Sequence, residues 1–227
     1  MAIFTARGSE AKESIEKKKV DLKNVYYRMK SEKDAAKVRI LSANDYVEYV
    51  SHSSFTHKVY TQPCVSVLGQ ECPLCTASKS GIDGFDALYP KKRYVFVFGD
   101  MASGELKALD VSKNQAKALI SAIEEYKEEL SELAFTLKRT GESTSTAYVL
   151  SPIIRMKGDD QAQFDGLADL EVTDEYLESI LSPLTAEFQV KVLKDAGFPT
   201  DEYFPHIKIK ETEEPTKDET EEILKNM

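Results

Sequence analysis

From Val25 onward, short apolar alternations are separated by polar turns, and the elements follow from that rhythm. "VYYRMK" (25–30) and "AKVRIL" (36–41) alternate around the polar "SEKDA", which predicts a hairpin. "DYVEYVSH" (45–52) and "THKVYTQ" (56–62) alternate likewise, split by a Ser-rich turn. "KRYVFVFGD" (92–100) is β-branched and aromatic, and "MASGE" turns it into "LKALDV". "AFTLKRT" and "STAYVLSPI" form a further pair, joined by "GE".

One helix stands out between the strand pairs. Ser112 and Gln115 form a capping box, and Ala116, Leu119, Ile120, Ile123, Tyr126 and Leu130 fall on one helical face. The pattern predicts a mainly β chain with added helices, an α+β fold built on a small five- or six-stranded barrel. Residues 25–156 form this core, preceded by a polar leader over 1–24. After Met156 the texture changes. "GDDQAQFDGLADLEV" reads as a linker; Thr173 caps a short helix "DEYLESIL"; Ser182 and Pro183 start a second helix, which Gly197 and Pro199 end. Residues 157–210 are thus a C-terminal helical extension. From Glu211, "ETEEPTKDETEEILKNM" has 7 acids and 2 bases and no core pattern, the composition of a disordered acidic tail.

Charge sharpens this division. The net charge of −9 is uneven: residues 1–150 carry 22 Lys+Arg against 20 Asp+Glu, and residues 151–227 carry 8 against 19. A neutral-to-basic working domain therefore precedes an acidic third. No apolar run approaches the ~20 residues of a membrane helix. The charged start "MAIFTARGSEAKESIEKKK" has no secretory pattern, so the expected location is a cytoplasm. The 3 cysteines are too few for a disulfide framework.

Those cysteines supply the chemistry. Cys72-Pro-Leu-Cys75 is a C-x-x-C knuckle, Cys64 lies eight positions earlier, and His52 and His57 precede it. A tetrahedral zinc site takes three thiolates and one imidazole, and spacing leaves either histidine open as the fourth ligand. A thioredoxin-like pair would need a βαβ unit, and a zinc deaminase would need H-x-E, which neither histidine begins. A closed four-ligand site has no open position for water, so one structural Zn²⁺ is expected, pinning a loop poor in apolar residues. No phosphate loop, nucleophile elbow or paired carboxylates mark an enzyme.

Basic residues interleave with aromatics instead. Tyr26, Tyr27 and Arg28 open the first strand and Arg39 follows; Phe55, Lys58 and Tyr60 flank the histidines; Lys91, Lys92 and Arg93 lead into Tyr94, Phe96 and Phe98. Bases stacking on rings, with cations along the phosphates, are how single strands are bound without sequence preference. The candidate contacts are Tyr27, Arg28, Arg39, Phe55, Lys58, Tyr60, Lys91, Lys92, Arg93, Tyr94 and Phe96.

"VYYRMK…AKVRIL", "YVSHSSFTHKVYTQPC", "ECPLC", "KKRYVFVFGD" and "FTLKRTGESTSTAYVLSPI", in that order, resemble bacteriophage single-stranded-DNA-binding proteins of the T-even, gene-32 type. The resemblance covers about residues 25–152. It implies an OB-fold barrel with bound zinc and a basic, aromatic DNA cleft, acting in phage replication and recombination inside the host cytoplasm. It further implies an acidic tail that recruits replication proteins such as a polymerase, helicase or primase. By position, His52 matches the family's histidine ligand better than His57. The rival expectation is a zinc-stabilised protein–protein adaptor with little DNA affinity of its own.

Overall fold

The computed structural model describes residues 22–208, so the polar leader up to Asp21 and the acidic tail from Glu211 lie outside the described residues. A short helix α1 (Leu22–Val25) precedes seven strands: β1 (Ala35–Arg39), β2 (Tyr46–Ser54), β3 (Val59–Pro63), β4 (Lys91–Asp100), β5 (Glu105–Ser112), β6 (Ala134–Thr140) and β7 (Ala147–Ile153). All strand pairings are antiparallel, in the order β3-β2-β4-β1-β6-β7, with β5 on the other edge of β4. The sheet curls into a half-barrel.

The curl depends on β4. Its first half pairs with β2, from Ser51↔Lys91 to Tyr46↔Phe96, and its last residues pass to β1 at Val38↔Asp100 and Arg39↔Gly99. One long strand thus serves two neighbours along one edge and β5 along the other. Residues 95–100 are all buried, on both faces of the strand. Phe96 and Phe98 point to the barrel core with Val38, Leu109, Leu119, Phe135 and Leu137. Val95 and Val97 point the other way, to a second core with Ala108 and Ile180. A strand covered on both faces reads as an unbroken apolar run, which explains "YVFVF".

Helix α3 (Lys113–Glu125) closes the barrel core. Its capping box forms as expected, with the Ser112 N–H donating to Gln115 Oε1 at 2.8 Å. Ala116, Leu119 and Ile123 are its buried face.

The first hairpin is a correction. Residues 26–30 do not pair with β1, which lies between β4 and β6. Instead Tyr26 makes an isolated parallel bridge to Ala108, the Tyr27 N–H donates to the Ala108 carbonyl at 2.9 Å, and the Tyr26 hydroxyl donates to the Ile180 carbonyl at 2.8 Å. Alternation in this segment reflects packing on β5, which a local pattern cannot distinguish from pairing with the next strand. The "SEKDA" turn survives, with the Asp34 carboxylate accepting from the Lys30 and Ser31 N–H groups.

The "linker" is also corrected. Residues 160–165 form α4 (Asp160–Asp165); Phe164 and Leu167 are buried with Met101 and Ala134. Leu167 packs so closely on Gly99 that a Cβ there would meet it at 3.2 Å. Thr173 caps α5 (Asp174–Ile180), accepting from the Tyr176 N–H. The next helix, α6 (Ala186–Asp195), starts three residues later than Pro183 suggested, because Thr185 is its N-cap. Gly197 ends it at φ +88, and α7 (Thr200–Tyr203) follows. No helix among the described residues is long and apolar enough to cross a membrane. The helices after Met156 therefore fill three different places on the sheet. Phe164→Ala should cost about 3–5 kcal/mol in a denaturant melt; a change under ~0.5 kcal/mol would return this segment to a linker.

Candidate metal centre and cationic groove

Local structure brings four ligands to one point. His52 follows the last pair of the β2–β4 ladder, Ser51↔Lys91, and pairs with Gln62 of β3, beside a register shift in the β2–β3 pairing between His52 and Ser54. Ser51 and His52, consecutive in the strand, are both buried. Cys64 directly follows β3 and continues the ladder, its N–H donating to the Val50 carbonyl at 2.8 Å. Cys72 is the N-cap of α2 (Pro73–Lys79), with Pro73 at its first position. Cys75 lies three residues on, so one helical turn sets both knuckle sulfurs on one side.

The ligand atoms of His52, Cys64, Cys72 and Cys75 all lie within 4.8 Å of one another. Cys64 Sγ is 3.9 Å from Cys72 Sγ and 3.5 Å from Cys75 Sγ. His52 Nε2 is 3.5 Å from Cys72 Sγ and 3.4 Å from Cys75 Sγ. Ordinary metal–sulfur and metal–nitrogen bonds at tetrahedral angles would separate sulfurs by about 3.8 Å and sulfur from nitrogen by about 3.5 Å. The cluster can hold one metal ion, and four protein ligands leave no position for substrate or water.

Surrounding groups fix the ligands. The His52 ring is fully buried, and Nδ1–H donates to the Leu88 carbonyl at 2.6 Å, leaving Nε2 with its lone pair toward the sulfurs. Burial also holds the imidazole below its usual pKa, hence neutral. Ser66 Oγ sits 2.9 Å from Cys64 Sγ. Burial pushes the Cys72 thiol up and the Cys75 thiol up to about 12. At Cys64 burial acts the same way, but hydrogen bonds from the Ser66 hydroxyl and N–H, together with those from Cys75 and Cys72, outweigh it and the pKa falls. An entering ion must therefore displace protons from at least Cys72 and Cys75.

The choice between histidines, which spacing left open, is made by the hairpin. The His57 ring stacks on Phe85 with centroids 4.1 Å apart, and its Nε2 meets the Gly84 carbonyl at 2.9 Å. It braces the β2–β3 turn and is no part of the cluster.

The eleven candidate contacts do not form one surface. Phe96 is fully buried and stacked on Tyr46 at 5.0 Å, so no base reaches its face. The Arg93 guanidinium turns inward to Asp110 at 2.9 Å, beside the Tyr49 hydroxyl. Arg39 lies over the Phe164 ring at 4.1 Å and donates to the Phe164 carbonyl at 2.8 Å. These three are corrections: Phe96 belongs to the half of β4 that is buried on both faces and Arg93 is drawn from β4 onto Asp110, whereas Arg39, on β1, is held by Phe164 of α4. Lys92 pairs with Glu48 at 2.7 Å, and the Tyr94 hydroxyl donates to the same carboxylate. Lys91 rests over Tyr89 at 4.3 Å. Phe55 is 100% exposed at the β2–β3 turn, with Lys58 and Tyr60 also exposed beyond it.

Tyr27 and Arg28 belong elsewhere, to a groove of about 560 Å³ that they line with Met29, Lys33, Lys37 and Lys107. The Tyr27 hydroxyl donates to Asp100 at 3.0 Å, and Lys107 stands 5.6 Å from its ring. A second recess of about 600 Å³ shares Lys33 and adds Lys30 and Arg139. Together the two carry six cations against Asp34, Asp100, Glu32 and Glu142. Sequence reasoning missed Lys30, Lys33, Lys37, Lys107 and Arg139. They come from separate strands and turns, and only the "RMKSEK" run offered a local signal.

Cys72→Ser should lower bound metal, read by elemental analysis, from about one ion per chain to a small fraction of that, with loss of thermal stability; an equally stable protein with unchanged metal content would refute the cluster. Because uptake displaces two or more thiol protons, apparent metal affinity should fall about 100-fold per unit as pH drops through neutrality. A chelator competition series at several pH values reads this directly, and a flat profile would contradict it.

No protein-family model matches the chain, and no curated protein matches it significantly.

Proposed function

We propose that this chain is a sequence-tolerant, non-enzymatic single-stranded-DNA-binding protein of OB-fold type, stabilised by one structural zinc ion. The observation that carries the reading is a pair of recesses that share Lys33: the ring of Tyr27 lines one, and the cations Arg28, Lys30, Lys33, Lys37, Lys107 and Arg139 are spread over the two. Cations spaced along a channel neutralise phosphates, and a ring on its wall offers a base a stacking partner worth about 1–3 kcal/mol. The exposed Phe55, Lys58 and Tyr60 are a second set of suitable groups on the same molecule. The donor set of three thiols and one imidazole suits zinc, and its closure suits a structural role. The resemblance of the cysteine loop and of the segments around it, in their order along the sequence, to the phage single-strand binders supports the same reading. On it, the protein covers exposed strands during phage replication and recombination in a host cytoplasm, and its acidic tail recruits a polymerase, helicase or primase.

One observation favours the adaptor reading. An acid-rimmed apolar cleft of about 550 Å³ is lined by Val47, Leu68, Leu177, Leu181 and Pro183, with Glu48, Asp174 and Glu178 at its edge. Such a surface suits a protein partner better than a nucleic acid.

A gel shift with single-stranded and duplex DNA at two salt concentrations separates the two. Tight, strand-selective binding that weakens with salt is expected. Lys30→Ala with Lys33→Ala should weaken it and reduce the salt slope by about 0.7 for each phosphate left without its cation. Absence of single-strand binding by the folded, metal-loaded protein would leave the adaptor reading in its place.

A further inference from the structure

Among the described residues, Gln189 is the one polar side chain that ties the helices after Met156 to the sulfur cluster by a hydrogen bond. It projects from α6, is 1% exposed, and belongs to the core shared by Cys64, Cys72, Leu74, Val190 and Leu193. Its amide is used at both ends. Nε2 donates to the Leu184 carbonyl at 3.0 Å, and Oε1 lies 3.7 Å from Cys72 Sγ.

The second contact has a chemical condition. Amide oxygen only accepts, so it bonds Cys72 only while that sulfur carries a hydrogen. A sulfur ligated to a metal ion carries none and can only accept. Oε1 against a ligated sulfur is then acceptor against acceptor, at a place where both residues are buried from solvent. Rotating the amide by half a turn presents Nε2–H to the sulfur. The same rotation turns Oε1 toward the Leu184 carbonyl and removes that carbonyl's donor. Leu184 lies in the segment 181–185 that joins α5 to α6, and Leu181 and Pro183 of that segment line the acid-rimmed cleft.

We propose that Gln189 is a positioning residue of the metal centre: it donates its side-chain N–H to the Cys72 thiolate of the loaded site, and the accompanying release of Leu184 makes the α5–α6 segment respond to metal occupancy. The inference rests on the metal reading of the cluster and adds a named outer ligand partner and a route from the ion to the cleft. Partners of this kind hold a ligand's charge and orientation, and losing one typically weakens metal binding about 10–100-fold.

The experiment uses the full chain with cobalt and cadmium ions as probes. Chelator competition against the cobalt–thiolate absorption should show Gln189→Leu binding about 10–100-fold more weakly than the parent. Gln189→Glu, with the same shape but two acceptors and no donor, should bind no better than Gln189→Leu. In the parent loaded with NMR-active cadmium, the Gln189 side-chain N–H should show scalar coupling to the ion through the Cys72 sulfur, which mere packing would not produce. Hydrogen exchange at 181–185 should rise on loading in the parent and not in Gln189→Leu. If Gln189→Leu fails to fold, the coupling and exchange in the parent still decide. A parent that takes up the ion without that coupling, and whose 181–185 exchange is unchanged, overturns the role of Gln189 and leaves the metal reading intact. A parent that takes up no ion overturns both.

Discussion

Three sulfurs and one imidazole converge at the segment of the molecule poorest in regular structure. Residues 64–90 contain only short helical turns and loops, too little regular structure to form an independent core. Their buried residues, Val65, Leu74, Ala77, Phe85 and Leu88, gather around the cysteines, and α6, Phe198 and Phe204 close over them. The cluster also reaches into the sheet, because His52 belongs to β2 and its ring is bonded to the Leu88 carbonyl of the loop. An ion bound there would cross-link strand, loop and helix at once. Binding free energy of that kind is folding free energy.

The barrel core depends on a different device. β4 is covered on both faces, by Phe96 and Phe98 on one side and by Val95 and Val97 on the other. This arrangement consumes the aromatic and cationic residues that precede the core. Arg93 is drawn into an ion pair with Asp110 at 2.9 Å, in partly buried surroundings where removing one partner would strand the other. Apart from Arg28, the cations that line the two recesses come from the turn at 30–33, β1, the start of β5 and the end of β6, with Lys37 paired to Asp160 and Lys107 to Asp100. One cationic face thus lies on the barrel, and one apolar cleft with acidic residues in its lining lies beside α5.

The two halves meet through the chain after Met156. Phe164 and Leu167 close one end of the sheet, Ile180 covers the outer face of β4, and Val190, Leu193 and Gln189 cover the metal cluster. Acidic composition made this stretch read as an appendage. Its scattered apolar residues gather into three separate contacts, each on a surface that the sheet or the cysteine loop already presents.

Sequence alone determined whatever depends on residues near one another along the chain. The β2–β3, β4–β5 and β6–β7 hairpins, the capped helix at 113–125, the Thr173 cap and the cysteine knuckle are all written in local spacing, and all form. Tertiary structure decided what depends on a distant partner. It set Tyr26 beside Ala108 rather than β1, took His52 over His57 because Phe85 and Gly84 hold the latter, and buried Phe96 under both a helix and a neighbouring strand. Alternation tells which side chains share a face, but which face is covered, and by what, is fixed only by elements that arrive from far along the chain.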